Sequence, residues 1–214
     1  MDYQLLPAIR QYLSTAEKDH GLIGAERKAA LLKIANGVAA SLAATEKAAL
    51  IYVCTHNSRR SHMGQLWAMA AAAYYDIQGI TSYSGGTEIT AFNPSAIKAL
   101  REAGFNIQVP SAAVNPHYHI EYASNAPAII AFSKKYMDAP NPVADFIAVM
   151  TCSHADENCP FVAGATLKVA TPYQDPKEGD GKPEQEQVYR ERCREIATEV
   201  LYTFRLVSEM IKPV

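Results

Sequence analysis

The sequence predicts an α/β fold of three layers, with a central four-stranded parallel sheet between helices and a helical extension before it. Four short apolar segments of strand length alternate with longer segments in which apolar residues recur at helical spacing. Such alternation is typical of parallel sheets that carry helices on both faces. We therefore assign residues 1–48 to a helical extension packed on the main domain, and residues 49–214 to that domain.

The extension is predicted as two or three helices. Leu5, Ile9 and Leu13 recur at four-residue steps, and residues 25–44 are rich in Ala, Leu and Lys with one Asn-Gly interruption. The composition changes near Lys47, where the first apolar strand segment begins.

The main domain is predicted from its apolar segments. Asn93 is a helix cap with Pro94 in the first turn and Gly104 just past the end. The predicted strands are 50–53, 81–84, 146–150 and 166–170, and the other predicted helices are 61–76 and 189–211. Residues 109–142 are rich in proline and lack a clean period, so we interpret them as an insert that forms a hairpin or a covering flap.

Composition excludes several classes of function. A formal net charge of -2 gives no broad attraction to nucleic acid or to membranes, and no apolar run is long enough to span a bilayer. The N-terminus lacks a basic start followed by an apolar stretch, so no secretory signal is predicted. The four cysteines are then expected to be reactive or buried in a reducing compartment, the cytoplasm, and not a disulfide framework.

The first chemical motif is the segment from Cys54 to Ser61, which joins a predicted strand to a predicted helix. A loop that enters a helix N-terminus directs backbone N–H groups and the positive end of the helix dipole to one place, where an oxyanion binds. Arg60 can grip two oxygens of that anion, and the same field favours a thiolate at Cys54. The substrate-binding residues predicted here are Thr55, His56, Asn57, Ser58, Arg59, Arg60 and Ser61.

The alternative for this segment is a buried cysteine at the end of a strand, followed by an unrelated basic helix start. Basic residues are unfavourable at a helix N-terminus, so two consecutive arginines there indicate that a negative group is expected. The context of strand and helix therefore favours the functional interpretation.

A second motif places Cys152 and Cys159 directly after another predicted strand, which would bring Cys152 to the same sheet edge as Cys54. Two unrelated core cysteines and a zinc site are the alternatives, but the histidine and cysteine spacings do not match usual zinc ligands. Redox chemistry requires the segment to bend, because seven helical residues rise about 10 Å and a disulfide needs alpha-carbons about 6 Å apart. Cys193 lies on the apolar stripe of the last helix and is predicted to be core.

Asp175 follows the fourth strand in loop sequence and is our candidate for a general acid, which would protonate the leaving oxygen as Cys54 attacks. Alone, an Asp-Pro pair is an ordinary turn signal. Glu178 and Asp180 lie close by as rival carboxylates.

Together these segments resemble the low-molecular-weight protein tyrosine phosphatase superfamily, and more narrowly its thioredoxin-coupled arsenate reductases. The resemblance covers about residues 49–108 and 143–210. Cys54, Asn57, Arg60 and Ser61 match the family's catalytic loop, and Ser84-Gly85 with Asn93-Pro94 resembles the family's next segment. Asp175-Pro176 falls where the family has its general acid. The segment from Cys152 to Pro160 resembles the redox segment of the reductases.

The resemblance implies a reaction sequence. Cys54 would attack arsenate held by the loop and Arg60, while Asp175 donates a proton. Cys152 would then attack Cys54, releasing arsenite, and Cys159 would resolve that disulfide into a Cys152–Cys159 pair for a thioredoxin-like reductant. Asn57 would hold the loop by side-chain hydrogen bonds, and Ser61 would donate to the Cys54 sulfur. No metal or other cofactor is implied.

The chain departs from the family in two loop positions. His56 stands where the family commonly has Gly, and we expect strain there if the backbone needs a positive φ. Arg59 replaces a cysteine that is often present and adds charge near the anion.

Two other functions stay open. Hydrolysis of a phosphomonoester, such as phosphotyrosine, would need only Cys54, Arg60 and Asp175, with a phosphocysteine intermediate. A catalytically silent anion-binding or zinc-binding module is the third possibility. The expected partners are an oxyanion and, for the reductase, a thioredoxin-like protein, with neither nucleic acid nor membrane.

Overall fold

A computed structural model describes residues 3–109, 113–158 and 161–212, and its central layer is a parallel sheet of four strands in the order β2-β1-β6-β7. This topology confirms the predicted α/β class. The strands are β1 Ala48–Cys54, β2 Ile80–Gly86, β3 Asn106–Gln108, β4 Tyr118–Glu121, β5 Ile129–Ala131, β6 Phe146–Met150 and β7 Ala165–Ala170. The helices are α1 Pro7–Glu17, α2 Ala25–Thr45, α3 Arg60–Tyr74, α4 Pro94–Glu102, α5 Ser153–Asn158 and α6 Gln185–Ile211, with short 3-10 helices at Lys18–Leu22 and Pro176–Gly179.

Alternate residues of β1 separate the two faces of the sheet. Leu50 and Tyr52 belong to a large apolar cluster shared with α2, α3 and α6, whereas Ile51 and Val53 belong to a smaller cluster with Ala155 of α5. Each strand residue therefore contributes to one core or the other, as the period of two along a strand requires. The sheet is covered on both faces, but the α5 side has much the thinner cover.

Residues 7–45 form α1, a 3-10 turn and α2. Ile9, Leu13 and Ala16 of α1 are fully buried, and so are Ala35 and Val38 of α2. All five lie in the same large cluster as the sheet residues. None of the helices formed by the described residues combines the length and apolar character that crossing a membrane would need.

The proline-rich region contributes β4 and β5 to a second sheet, whose third strand, β3, comes just before it. In the described residues β3, β4 and β5 pair antiparallel in that order, so β4 and β5 make the hairpin that was one of the two predicted forms. After β5 the chain returns to the main sheet, where Gly86 and Lys135 form an isolated parallel bridge. The insert thus reaches the carboxyl end of β2.

Register brings the two cysteine motifs to one edge. Strands β1 and β6 are adjacent and parallel, with Val53 opposite Met150. Thr151 then donates to the Val53 carbonyl through its backbone N–H at 2.7 Å and its hydroxyl at 2.9 Å. Cys54 and Cys152 therefore leave the sheet side by side, as predicted from the order of strands.

Gly64 allows α3 to lie directly on β1. A Cβ added at Gly64 would meet ring carbons Cγ and Cε1 of the buried Tyr52 at 2.7 and 2.8 Å. We expect Gly64→Ala to lower the free energy of unfolding by about 1–2 kcal/mol, because overpacking outweighs the gain in helix propensity. Urea denaturation measures this difference. Gly21→Ala is the control, since a Cβ at Gly21 would meet nothing within 4 Å. Equal effects of the two changes would contradict the close approach.

Lys134 in the insert is buried, at 3% exposure, and its ammonium lies 4.7 Å from the centre of the Phe132 ring. Burial lowers the pKa of Lys134 from its ordinary 10.5 to about 8, although Asp138 acts in the opposite direction. The folded state then binds fewer protons than the unfolded state between those two values. The loss of folding stability caused by the buried charge is therefore fully present below pH 8 and disappears as the pH rises through 10.5.

We expect Lys134→Met to stabilise the protein at pH 7 relative to wild type, by up to about 3 kcal/mol. The gain should shrink as the pH rises from 8 to 10. Unfolding free energies at pH 7, 8.5 and 10 test both statements, with the exposed Lys135→Met as control. A gain that does not depend on pH would show that packing, and not the buried charge, is responsible.

Candidate active site

The Cys54–Ser61 loop connects the end of β1 to the first turn of α3, as predicted. Its residues are largely buried, with Cys54 at 4%, Asn57 at 0% and Arg60 at 9% exposure. The loop lies at the carboxyl edge of the parallel sheet, where folds of this type place their ligands.

The carbonyl groups of the loop are tied outward. The Cys54 and Thr55 carbonyls accept from the backbone N–H groups of Thr87 and Glu88 at 3.2 and 2.8 Å, and the Ser58 carbonyl accepts from Asn93 at 2.9 Å. The His56 carbonyl accepts from two hydroxyls, those of Thr90 and Ser133, at 2.9 and 3.0 Å.

In a trans peptide the N–H of each residue points opposite to the carbonyl before it. The N–H groups of residues 55, 56, 57 and 59 consequently point to the inside of the loop. Between residues that the structure describes, no hydrogen bond is donated by the backbone N–H groups of residues 55–60. Several amide donors, together with the start of α3, are thus available to an anion at one place.

Asn57 and Ser61 hold the loop around the Cys54 sulfur. The Asn57 side chain donates to the Ser61 hydroxyl at 2.9 Å, and that hydroxyl lies 3.1 Å from Cys54 Sγ. The positive φ of the loop, 43°, occurs at Asn57 and not at His56. The expected strain at His56 is therefore wrong, and asparagine is a residue type that tolerates this conformation.

Arg60 is held on the loop side of the molecule by its own partners. Its two terminal nitrogens donate to the Tyr173 carbonyl at 2.7 Å and to Asp175 Oδ2 at 2.6 Å. Its Nε is buried, and no described residue accepts a hydrogen bond from it. An oxyanion that contacts Nε would supply the missing acceptor.

Asp175 connects both arginines to the loop that follows β7. Besides the pair with Arg60, its Oδ1 lies 3.9 Å from Arg59 and accepts from the Lys177 backbone at 3.1 Å. Of its two rivals, Asp180 pairs with Arg59 at 3.6 Å, whereas no side-chain bond or ion pair of Glu178 to the Cys54–Ser61 loop occurs among the described residues.

Arg59 has partners that sequence reasoning did not identify. Its Nε donates to the Tyr189 hydroxyl at 2.9 Å, and that hydroxyl donates to Asp180 at 2.8 Å. Burial raises the pKa of Tyr189 to about 12, so the hydroxyl is neutral at physiological pH. Tyr189 begins the apolar stripe of α6, and periodicity alone gave no sign of its polar role.

The insert also supports the loop, through residues that the sequence did not single out. The Lys134 backbone N–H donates to Asn57 Oδ1 at 2.9 Å, and its carbonyl accepts from Gly86 at 2.9 Å. The Ser133 hydroxyl accepts from the Thr90 backbone at 2.9 Å in addition to its bond to His56. Each loop residue between Cys54 and Ser58 is thereby fixed to a segment that lies far away in sequence.

Cys152 lies at the end of β6 in the same buried cluster as Cys54. Its sulfur is 3.5 Å from the Thr55 hydroxyl, which in turn lies 3.2 Å from His154 Nδ1. The Ala155 backbone donates to the same sulfur at 3.4 Å. Cys159, the other predicted redox residue, falls outside the described residues.

The remaining cysteine, Cys193, is buried on α6 and accepts from the Trp67 indole at 3.4 Å. Burial raises the pKa of the Cys193 thiol to about 12, as expected of a core residue. Within the described part of the chain, no three His, Cys, Asp or Glu side chains come together in a way that could hold a metal ion.

Sequence comparison finds similar proteins that are named arsenate reductase. No family model matches the chain. It is 26% identical to an arsenate reductase of Bacillus licheniformis over 164 residues, which cover 76% of this chain and 99% of that one. It is 28% identical to arsenate reductase 2 of Staphylococcus haemolyticus over 138 residues, 64% of this chain and 83% of that one.

Among solved structures, a YwlE mutant from Bacillus subtilis is similar with a TM-score of 0.48 and 15% identity, covering 78% of this chain and 100% of that one. The alignment with the Bacillus licheniformis protein covers 99% of that protein, so the similarity extends well beyond a single motif. The chain is thus similar in sequence to proteins named arsenate reductase.

Proposed function

We propose that this protein is an arsenate reductase that uses Cys54 as nucleophile and Cys152 and Cys159 as a disulfide relay. The observation that carries the proposal is the pair of buried thiols at one sheet edge, Cys54 in the anion-binding loop and Cys152 beside it, with the Thr55 hydroxyl next to the second sulfur. A hydrolase needs only the first of these thiols. The proposal includes a cytoplasmic, reducing environment, because both thiols must start reduced.

In the first step, arsenate binds to the inward amide groups and to Arg60, whose buried Nε lacks an acceptor among the described residues. The Cys54 thiolate forms a bond to arsenic. Binding of the anion releases Asp175 from its ion pair with Arg60 at 2.6 Å. Asp175 then takes up a proton of dihydrogen arsenate and passes it to the departing hydroxyl, which leaves as water. Ser61 stabilises the thiolate by donating to its sulfur.

In the second step, the Cys152 thiolate attacks Cys54 Sγ and forms a disulfide. The electron pair of the sulfur–arsenic bond stays on arsenic, which is reduced from As(V) to As(III) and leaves as arsenite. Cys159 then attacks Cys152 and frees Cys54, and a thioredoxin-like reductant opens the resulting Cys152–Cys159 disulfide. This last exchange requires α5, Ser153–Asn158, to unwind or bend, for the geometric reason given above.

The experiment is to trap the disulfides after one arsenate turnover. In the Cys159→Ser variant we expect a stable Cys54–Cys152 disulfide, identified by mass spectrometry of peptides. Cys152→Ser should abolish multiple turnover with thioredoxin, thioredoxin reductase and arsenate, whereas the core substitution Cys193→Ser serves as the matched control and should retain it. Undiminished turnover in Cys152→Ser would reject the reductase.

Phosphomonoester hydrolysis remains the second candidate, since one observation favours it independently. Asp175 and Arg60 are paired at 2.6 Å beside the Cys54–Ser61 loop, and those groups are sufficient for a phosphocysteine mechanism. This activity would not depend on Cys152.

We expect Asp175→Asn to lower kcat for an aryl phosphate by about 100-fold, because the amide cannot protonate the leaving oxygen. The loss should be much smaller for a substrate with a strongly acidic leaving phenol, which departs without help. Steady-state kinetics with p-nitrophenyl phosphate and phenyl phosphate compare the two cases. Asp180→Asn is the control, and the assignment of Asp175 fails if that change has the larger effect.

A further inference from the structure

Three polar side-chain atoms at the carboxyl edge of the sheet form two consecutive hydrogen-bonding contacts. Cys152 Sγ lies 3.5 Å from Thr55 Oγ1, and Thr55 Oγ1 lies 3.2 Å from His154 Nδ1. His154 is on the first turn of α5 and is exposed, whereas Cys152 is buried at 3%. A proton on the buried sulfur therefore has a route to an imidazole that meets solvent.

We propose that His154 accepts the proton of the Cys152 thiol through the Thr55 hydroxyl, and so generates the nucleophile of the second step. The inference rests on the reductase function proposed above and assigns a residue to it that the disulfide relay itself does not require. His154 acts through Thr55 and does not touch the reacting sulfur atoms.

The two thiols differ in how their charge is stabilised. Cys54 lies in a loop that supplies Ser61, inward amides and Arg60. Cys152 lies among Ile51, Val53 and other apolar side chains, and one backbone donor, that of Ala155, reaches its sulfur. Among the described residues, the Thr55 hydroxyl is the side-chain group that reaches the Cys152 sulfur, at 3.5 Å, and it is therefore the group through which a proton could leave.

The proton transfers balance without a further reactant. The thiol hydrogen moves to Thr55 Oγ1 as the hydroxyl hydrogen moves to His154 Nδ1, which must be the unprotonated nitrogen beforehand. The product is a thiolate, an unchanged hydroxyl and an imidazolium that can release its proton to water. The thiolate then forms the disulfide with Cys54, and the electron pair goes to arsenic as described.

Several titratable groups lie on the elements that pack against α5. Strands β1 and β6 pack against α5, and their only titratable side chains are Tyr52 and Cys54. Burial raises the pKa of Tyr52, which therefore stays neutral. On α5 itself Asp156 is paired with Lys168 of β7 at 2.6 Å, and Glu157 is the other acid. His56 of the loop pairs with Glu88 at 3.6 Å.

The test follows formation of the Cys54–Cys152 disulfide after mixing with arsenate, by acid quench and peptide mass spectrometry. All variants carry Cys159→Ser and Cys193→Ser, so that the disulfide accumulates. At pH 7 we expect His154→Ala to slow its formation by about 10- to 100-fold. The deficit should shrink as the pH rises to 9.5, where hydroxide removes the thiol proton, and added imidazole should partly restore the rate at pH 7.

The control is His119→Ala, an exposed histidine of β4 in the insert, which should follow the parent at every pH. Aryl phosphate hydrolysis, measured on the same samples, normalises for the fraction of folded Cys54 sites. If His154→Ala keeps the parental rate and pH profile, the proton transfer to His154 is overturned, while the disulfide relay of the cysteines is unaffected. An equal loss at every pH without rescue by imidazole overturns the proton transfer too, because it marks a structural role. If the parent forms no Cys54–Cys152 disulfide while its hydrolysis is intact, the reductase function and the proton transfer to His154 are both rejected.

Discussion

The outward attachment of the loop carbonyls is the constraint on which the site depends. A peptide plane has two polar edges, and fixing one of them fixes the direction of the other. The segment that follows β2 supplies Thr87, Glu88, Thr90 and Asn93 as partners for the carbonyl edges. The amide edges are left to face inward without a protein acceptor in the described residues. The binding capacity of the loop is thus built from backbone, and it is held in place by neighbours outside the motif.

The positive charges of Arg59 and Arg60 are balanced by two carboxylates, those of Asp175 and Asp180. Two arginines at the start of α3 would repel each other and the helix dipole if they stood alone. Asp175 faces both of them, Asp180 faces Arg59, and the Tyr189 hydroxyl lies between Arg59 and Asp180. The resting site is therefore close to neutral and already ordered. An oxyanion that bound here would exchange partners with these groups and would not have to order two free side chains, which would lower the entropic cost of binding.

Much of the fold follows from local sequence pattern. The apolar strands, the capped helix after Asn93 and the long stripe of α6 are set by burial and capping, which act over a few residues, and their positions agree with the predicted ones. The pairing of β3 with β4 and the bridge at Lys135 were not predictable in this way, because they depend on contacts between distant segments with little alternation of apolar residues. The same limit applies to the site. Cys54, Arg60 and Asp175 stand out by residue type and position, whereas Ser133, Lys134 and Tyr189 act through backbone or at core positions.

The attachment of the loop to the insert has a consequence for how such a motif can diverge. Because Asn57 and His56 are fixed partly by residues 133 and 134, the Cys54–Ser61 loop and the insert form one mechanical unit even though 77 positions separate the bonded residues. A change in the length of the insert would therefore alter the loop unless these two hydrogen bonds were kept or replaced. The eight residues from Cys54 to Ser61 therefore do not determine the shape of the loop by themselves. Residues that take the place of Ser133 and Lys134 are needed as well.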